Sequence, residues 1–332
     1  MKLKKIIFRA DGYKELGLGH IYNCVTMAKK LNFHDVVIVV QADSDIGIEK
    51  LKEEKVPFHV VKNELDLFEY IDFVTPDIYV NDCLNTTVEQ VKKLKEHVPR
   101  VITIEDLGEG GKFADAVVNA MYENETSGNV YSGHKYVFLR DEFKQEEPNS
   151  WNDEVNNILV MFGGTDPANL NVMLYSIAKR LTRKHKSVSF SFLTGIGYDC
   201  ESNGVVDDVK NRIHVYSNVH RVTEYMKKSE IAVTSQGRTI FELAAMRIPS
   251  IVLSQNEREA THGFAQLQNG FLNLGMGAIV DSKLVENTLD WLINATVIRK
   301  DMYRLMSELD LKNGIERVVS IILGEKYYGK DD

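Results

Sequence analysis

Arg9-Ala10-Asp11-Gly12-Tyr13-Lys14-Glu15-Leu16-Gly17-Leu18-Gly19-His20 follows the apolar run Ile6-Ile7-Phe8 and precedes apolar positions Ile21, Val25, Ala28 and Leu31. The run suits a buried strand, and the i, i+4, i+7, i+10 spacing suits one face of a helix. Between them, Gly12, Gly17 and Gly19 make a flexible turn in which backbone can approach a ligand. The amides at a helix start favour negative charge. His20 has two readings: a residue capping a backbone group, or a proton-transfer group at the edge of a site. Gly17-Leu18-Gly19 also invites a dinucleotide reading, but that fingerprint needs a third glycine where Tyr22 stands.

The same order recurs along the chain. Up to about residue 140, strands are expected at Lys5–Phe8, Val36–Val40, Phe58–Val61, Ile78–Val80, Val101–Ile104, Ala116–Asn119 and Tyr136–Leu139, with helical segments such as Val88–Glu96 between them. The polar, acidic stretch Asp141–Asn157 reads as an exposed connection. The pattern restarts at Ile158–Phe162, followed by a second glycine turn, Gly163-Gly164-Thr165-Asp166-Pro167, with Asp166 and Pro167 as a helix N-cap and first-turn pair. Further strands are expected at Val188–Leu193, Ile213–Tyr216, Ile231–Thr234 and Ser250–Leu253, and Asn287–Leu323 reads as helix. Alternation of this kind predicts an α/β fold of two doubly wound parallel sheets. The expected parts are an α/β domain over 1–145, a second over 146–310, and a C-terminal helix over 311–332 that packs back across them.

Composition narrows the function. The chain has 332 residues and a formal charge of −8, which excludes a basic nucleic-acid-binding surface. Three widely spaced cysteines suggest neither a disulfide framework nor a zinc site. The N-terminal apolar segment breaks at Arg9 and Asp11, too early for a signal-peptide core, and no run reaches membrane-spanning length. A cytoplasmic protein without membrane insertion is expected. The histidines include no H-x-x-x-H pair, and Asp43-Ser44-Asp45 reads as a solvated loop, so no metal site is expected.

In the second half, Thr234-Ser235-Gln236-Gly237-Arg238-Thr239 lies between a strand and a helix, where small residues can direct N–H donors at a diphosphate. Two readings compete for Glu242: the partner of Thr239 in a capping box, or an acceptor for a ribose diol. The loop around Val219 either offers backbone to a base or is an ordinary connection. Gln255-Asn256-Glu257 and His262…Gln266 follow a strand end on the same side, and read either as groups that close over phosphate or sugar or as a polar loop and an exposed helix face.

Four motifs carry a resemblance: R-A-D…G-L-G-H at Arg9–Asp11 and Gly17–His20; the strand-end acids Asn81-Asp82 and Glu105-Asp106; F-G-G-T-D-P at Phe162–Pro167; and S-x-G…E-L-A-A at Ser235, Gly237 and Glu242–Ala245. On these the chain resembles metal-independent nucleotide-sugar enzymes of GT-B architecture, above all the UDP-sugar hydrolases of pseudaminic acid biosynthesis and the SpsG-like polysaccharide biosynthesis proteins. The resemblance implies two Rossmann-like domains facing a cleft, a UDP-sugar substrate, release of UDP, and no cofactor. It implies His20 as the base that activates water. Arg9, Asp11, Gly17, Gly19, Asp82 and Asn256 fall on the sugar side. Gly164, Thr165, Ser235, Gly237, Thr239 and Gln266 fall around the phosphates, Glu242 at the ribose and Val219 at the uracil. Those hydrolases place His-Tyr after the strand-end acid, where this chain has Cys83-Leu84, so a ring and a hydroxyl are missing from the implied sugar site. A glycosyltransferase of the same fold and a non-catalytic nucleotide-sugar-binding protein remain as alternatives.

Overall fold

The computed structural model describes residues 2–13, 17–122, 128–195 and 197–325, so Lys14, Glu15 and Leu16 of the opening turn lie outside the described residues. The chain divides into two compact units, one running to Phe138 and resuming at Lys312, the other spanning Leu139–Leu311.

The first unit runs β1 (Lys5–Ala10), α1 (Gly19–Lys30), β2 (Asp35–Gln41), α2 (Asp45–Glu54), β3 (Phe58–Val61), α3 (Glu64–Val74), β4 (Ile78–Asp82), α4 (Val88–His97), β5 (Arg100–Ile104), β6 (Ala116–Asn119) and β7 (Val130–Ser132). The strands form one parallel sheet in the order β3-β2-β1-β4-β5-β6-β7. Ile6, Ile7 and Phe8 are fully buried, as expected of a strand covered on both faces. One face packs Ile7, Val39, Val61 and Tyr79 against Phe68 and Ile71 of α3 and Val91 and Leu94 of α4. Local chemistry fixes the helix starts: Asn63 caps α3, and Thr87 with Gln90 forms a capping box at α4.

The second unit begins with α5 (Asp141–Gln145) and continues β8 (Asn157–Met161), α6 (Leu170–Lys184), β9 (Ser189–Thr194), β10 (Ile213–Ser217), α7 (Thr223–Met226), β11 (Ile231–Thr234), α8 (Thr239–Ala245), β12 (Ser250–Ser254), α9 (Glu257–Ala260), β13 (Phe271–Met276), α10 (Ser282–Asn294) and α11 (Thr296–Ser307). Its parallel sheet has the order β10-β9-β8-β11-β12-β13. In both sheets the strand order reverses beside the first strand, between β1 and β4 and between β8 and β11. Doubly wound sheets bind ligands at such points, beyond the carboxyl ends of the strands.

Three sequence expectations need correction. Tyr136–Leu139 is not a strand: the last strand of the first sheet is β7, and a 3₁₀ turn follows at His134–Tyr136. All four residues of the expected strand are buried, and a covered irregular segment reads like a covered strand. β13 carries Asn273 and the left-handed Gly275, which hid its strand character. The connection 141–157 is not wholly exposed, since α5 buries Phe143 to 1% exposure.

The final helix, α12 (Gly314–Leu323), belongs to the first unit. Its last carbonyls accept from that unit: Leu323 from Lys4 Nζ at 2.8 Å, Ile321 and Ile322 from Arg100 at 2.7 and 3.0 Å. At its start, Gly314 lies so close to Val137 that a Cβ would overlap the Val137 carbonyl. We therefore expect Gly314→Ala to destabilise the protein by about 2–4 kcal/mol, read by denaturant unfolding, because backbone on both sides must move.

Candidate functional site

In the first unit the chemistry gathers at the β1/β4 reversal. Gly17 adopts a left-handed φ of 77°, which turns the chain into α1. Gly19 leaves open space, since a Cβ there would meet nothing within 4 Å. His20 sits in the first turn of α1, and parallel pairing of β1 with β4 sets Asp82 level with Ala10. Asp82 is fully buried. Its Oδ1 lies 2.7 Å from His20 Nδ1, and its Oδ2 accepts from Asn23 Nδ2 at 2.9 Å. Asn23 is three residues past His20, hence on the same helix face.

This contact fixes the histidine tautomer. A carboxylate only accepts, so Nδ1 must carry the proton, and the lone pair of the neutral ring lies on Nε2. Among the described residues Nε2 has no hydrogen-bond partner, and the side chain is 13% exposed. His20 is thus not a helix cap but an imidazole oriented by a buried carboxylate. Asp82, expected on the sugar side, spends both oxygens on His20 and Asn23, which makes it a positioning group.

Arg9 and Asp11 project elsewhere. They line a pocket of about 730 Å³ together with Tyr13, Gln41, Asp43, Phe68, Tyr79, Asn81 and Cys83, whereas His20, Gly17 and Gly19 do not line it. Arg9 Nη2 meets Asp11 Oδ2 at 2.6 Å, Nη1 donates to the Ala10 carbonyl at 2.8 Å, and Asp11 Oδ1 takes the Gln41 amide at 2.8 Å. Burial opposes the Arg9 charge, and the hydrogen bond and charge of Asp11 beside it help to outweigh that effect and hold the guanidinium protonated. The same enclosure pushes the Cys83 thiol up to about 12, against the pull of Arg9, so it stays a neutral thiol. Glu105-Asp106 has a structural part: Asp106 accepts from the amide and hydroxyl of Thr86 and from the Gly108 amide, tying two strand-end loops together.

In the second unit the matching reversal lies between the turns after β8 and β11. Gly163 and Gly164 have no neighbour within 4 Å of where a Cβ would stand, while the Gly164 carbonyl accepts the Gly197 amide at 3.1 Å. Asp166 is not the N-cap of α6; that position is Asn169. The Asp166 carboxylate instead accepts from the amides of Leu170 and Asn171 and from the Asn171 and Gln255 side chains, at 2.7–3.0 Å. Gln255 thereby bolts the β12 turn to the β8 turn.

After β11, Ser235, Gly237 and Thr239 come together as expected, and the N–H groups of Gly237 and Thr239 make no hydrogen bond among the described residues. The Gln236 amide is not open: Glu259 accepts it at 3.2 Å and takes the Gln255 amide at 2.8 Å. Burial drives the Glu259 carboxyl above its usual range, and these two amides oppose the shift. The capping box of Thr239 with Glu242 is absent, since the start of α8 has no side-chain cap. Glu242 Oε1 instead pairs with Arg140 Nε at 2.9 Å. Val219 follows the left-handed Asn218, and its amide and carbonyl make no hydrogen bond among the described residues.

Two calls separate from this group. Asn256 Oδ1 caps α9 by accepting the Glu259 amide at 2.9 Å, so its side chain is a helix cap. Gln266 lines a different pocket of about 580 Å³ beside β13 and α10, with none of the other expected nucleotide-side residues. Among the described residues no cluster of three His, Cys, Asp or Glu could hold a metal ion, and no helix is long and apolar enough to cross a membrane.

Comparison with known proteins bears on the whole arrangement. Residues 158–294 match the glycosyltransferase family 28 C-terminal domain. The spore coat polysaccharide biosynthesis protein SpsG of Bacillus subtilis is 26% identical over 94% of this chain and 96% of its own length. The chain is SpsG-like and has the GT-B fold. MurG of Acinetobacter baumannii superposes with a TM-score of 0.68 at 14% identity, covering 97% of this chain and 99% of its own. Anabaena HepE, solved in complex with UDP, gives 0.58 at 13% identity, over 96% of this chain and 99% of its own. An uncharacterized protein of Methanocaldococcus jannaschii is 30% identical over 76% of this chain, which spans 56% of that protein's length.

The residues the sequence missed are Asn23, Glu259 and Arg140. Only Asn23 had a local signal, its helical spacing from His20. Removing the shared acceptor tests the first cluster. Asp82→Ala leaves the His20 and Asn23 donors unpaired in a buried site and should cost about 2–4 kcal/mol in denaturant unfolding.

Proposed function

We propose that this protein is a nucleotide-sugar enzyme of surface polysaccharide biosynthesis, and specifically a metal-independent hydrolase that releases UDP from an amino-deoxy sugar on a route to a nonulosonic acid. The observation that carries the reading is the His20–Asp82 pair, which leaves His20 Nε2 with a lone pair and no hydrogen-bond partner among the described residues. In the proposed step Nε2 takes a proton from water, and the water oxygen bonds to the anomeric carbon. The bond from that carbon to the β-phosphate oxygen breaks, and its electron pair leaves with UDP. Asp82 stabilises the imidazolium that forms. A nucleoside diphosphate leaves without strong acid catalysis, and a positioned base supplies on the order of 10²–10⁴-fold.

The second unit is assigned the nucleotide. The amides of Gly164, Thr165, Gly237 and Thr239, which make no hydrogen bond among the described residues, support a diphosphate there, where N–H donors offset charge developing on the leaving group. The free backbone of Val219 is assigned the base edge, and Glu242, steadied by Arg140, the ribose diol. The UDP complex of HepE supports uridine as the nucleoside. The match of residues 158–294 to a glycosyltransferase domain favours a second reading, in which His20 deprotonates an acceptor hydroxyl instead of water.

Incubation with a panel of UDP-sugars and no acceptor separates the two. Steady UDP release is the expected outcome; turnover only with an added acceptor would establish the transferase, and saturable binding without turnover a binding protein. His20→Ala should lower turnover about 10²–10⁴-fold while UDP affinity changes by less than about threefold. Glu259 gives a separate check, because its carboxylate lies beside the expected diphosphate: a Cβ on Gly237 would stand 3.3 Å from its Oε1. Glu259→Gln keeps an oxygen for both amides and removes the charge, so UDP should bind roughly three- to tenfold tighter by calorimetry. In the wild type the gap should narrow as pH falls and the raised Glu259 carboxyl protonates.

A further inference from the structure

Leu139-Arg140-Asp141-Glu142-Phe143 opens the second unit, and the short helix α5 begins within it. Phe143 is 1% exposed and pins the segment into the core. The Arg140 guanidinium stands 5.1 Å from the centre of the Phe143 ring, and its arms point two ways. Nε donates to Glu242 Oε1 at 2.9 Å, and Nη1 lies 3.0 Å from Glu142 Oε1. One cation thus serves two carboxylates.

The second oxygens of those carboxylates differ. Glu142 Oε2 accepts the amide and the hydroxyl of Thr223 at 3.2 and 3.0 Å. Thr223 is fully buried and opens α7. Glu142 is therefore anchored at both oxygens and cannot swing away from Arg140. Glu242 Oε2 makes no hydrogen bond among the described residues, and the side chain is only 13% exposed. Its acceptor capacity is left for a ligand.

The sharing of Arg140 explains why that oxygen is left over. A guanidinium readily closes on one carboxylate with two parallel N–H···O bonds. Arg140 gives Glu242 a single bond, because another arm is held by Glu142. The competing carboxylate keeps Glu242 Oε2 out of the fork. A lysine could not do the same, since an ammonium is a point charge without separated arms.

We propose that Glu142 is a specificity-determining residue of the nucleotide site: by holding one arm of Arg140 it leaves Glu242 Oε2 open to a vicinal diol, and so sets the preference for a ribonucleotide over its 2′-deoxy analogue. The proposal rests on the assignment of Glu242 to the ribose. Glu142 acts through Arg140 and Glu242 without touching the ligand, which makes it a positioning residue.

The test is calorimetric titration of the full-length protein with UDP and with 2′-deoxy-UDP, read as the ratio of the two dissociation constants. In the wild type UDP should bind about ten- to a hundredfold tighter, the weight of one hydroxyl on a charged acceptor. Glu142→Gln keeps an oxygen for Thr223 and removes the competing charge, and the ratio should fall at least about threefold. Arg140→Lys keeps the cation without its second arm and should lower the ratio likewise. If Glu142→Gln does not fold, Arg140→Lys decides alone. Glu146→Gln is the control: Glu146 lies one turn further along and pairs with Arg221 at 2.7 Å and with Lys227, so the ratio should not change. A ratio that Glu142→Gln leaves intact, or that Glu146→Gln lowers as much, would overturn the proposal. Glu242→Ala separates it from the assignment beneath it. If the ratio survives in Glu242→Ala, or if the wild type binds no UDP, the ribose assignment falls and the proposal with it. If Glu242→Ala abolishes the ratio while Glu142→Gln keeps it, the assignment stands and the role of Glu142 falls.

Discussion

Parallel pairing of β1 with β4 is the constraint on which the first unit's chemistry depends. The register sets Asp82 level with Ala10 at the carboxyl edge of the sheet, beneath the first turn of α1. A fully buried carboxylate there needs partners, and His20 and Asn23 supply them from one helix face. The histidine is oriented as a consequence of satisfying a buried charge. Its free nitrogen is then the one that does not face the core.

The same strand ends sort side chains by parity. Asp82 goes to the α1 side, while Asn81 and Cys83 go to the side of α3 and α4, where Arg9 and Asp11 also point. One sheet edge thus carries two environments, an oriented imidazole on one face and a polar pocket on the other. Tight loops hold this edge: Asp106 collects three donors from Thr86 and Gly108, and a side chain on Gly108 would run into the Thr86 backbone. In the second unit Asp166 and Gln255 hold the turns at the strand-order reversal in the same manner. Glu259 adds to this by accepting the Gln236 and Gln255 amides, one from each of the turns after β11 and β12.

Much of the fold was legible in order of appearance. Twelve strand segments were expected, and all but Tyr136–Leu139 correspond to strands, because buried parallel strands are continuous apolar runs. The exceptions share a cause. Tyr136–Leu139 is buried without pairing, and β7 and β13 lie at sheet edges, where burial and composition carry less signal. Within the site, the sequence singled out His20, Asp82, Glu242 and the glycine turns, but not the contacts of Asp82 with His20 and Asn23 or of Glu242 with Arg140. Neither helix-start spacing nor strand position reveals which side chain a carboxylate will meet.

The sequence by itself determined two α/β halves, each opening with a strand, a glycine turn and a helix, because periodicity and turn chemistry act over a few residues. The Arg9–His20 stretch is the clearest case: its glycines and the helical spacing that follows already required a turn into a helix with His20 at the start. Only the tertiary structure decided what that histidine meets. Asp82 lies 62 residues away and Arg140 lies 102 residues from Glu242, so both contacts depend on strand order and register. Those are settled by which apolar faces bury against one another, and no local pattern records them.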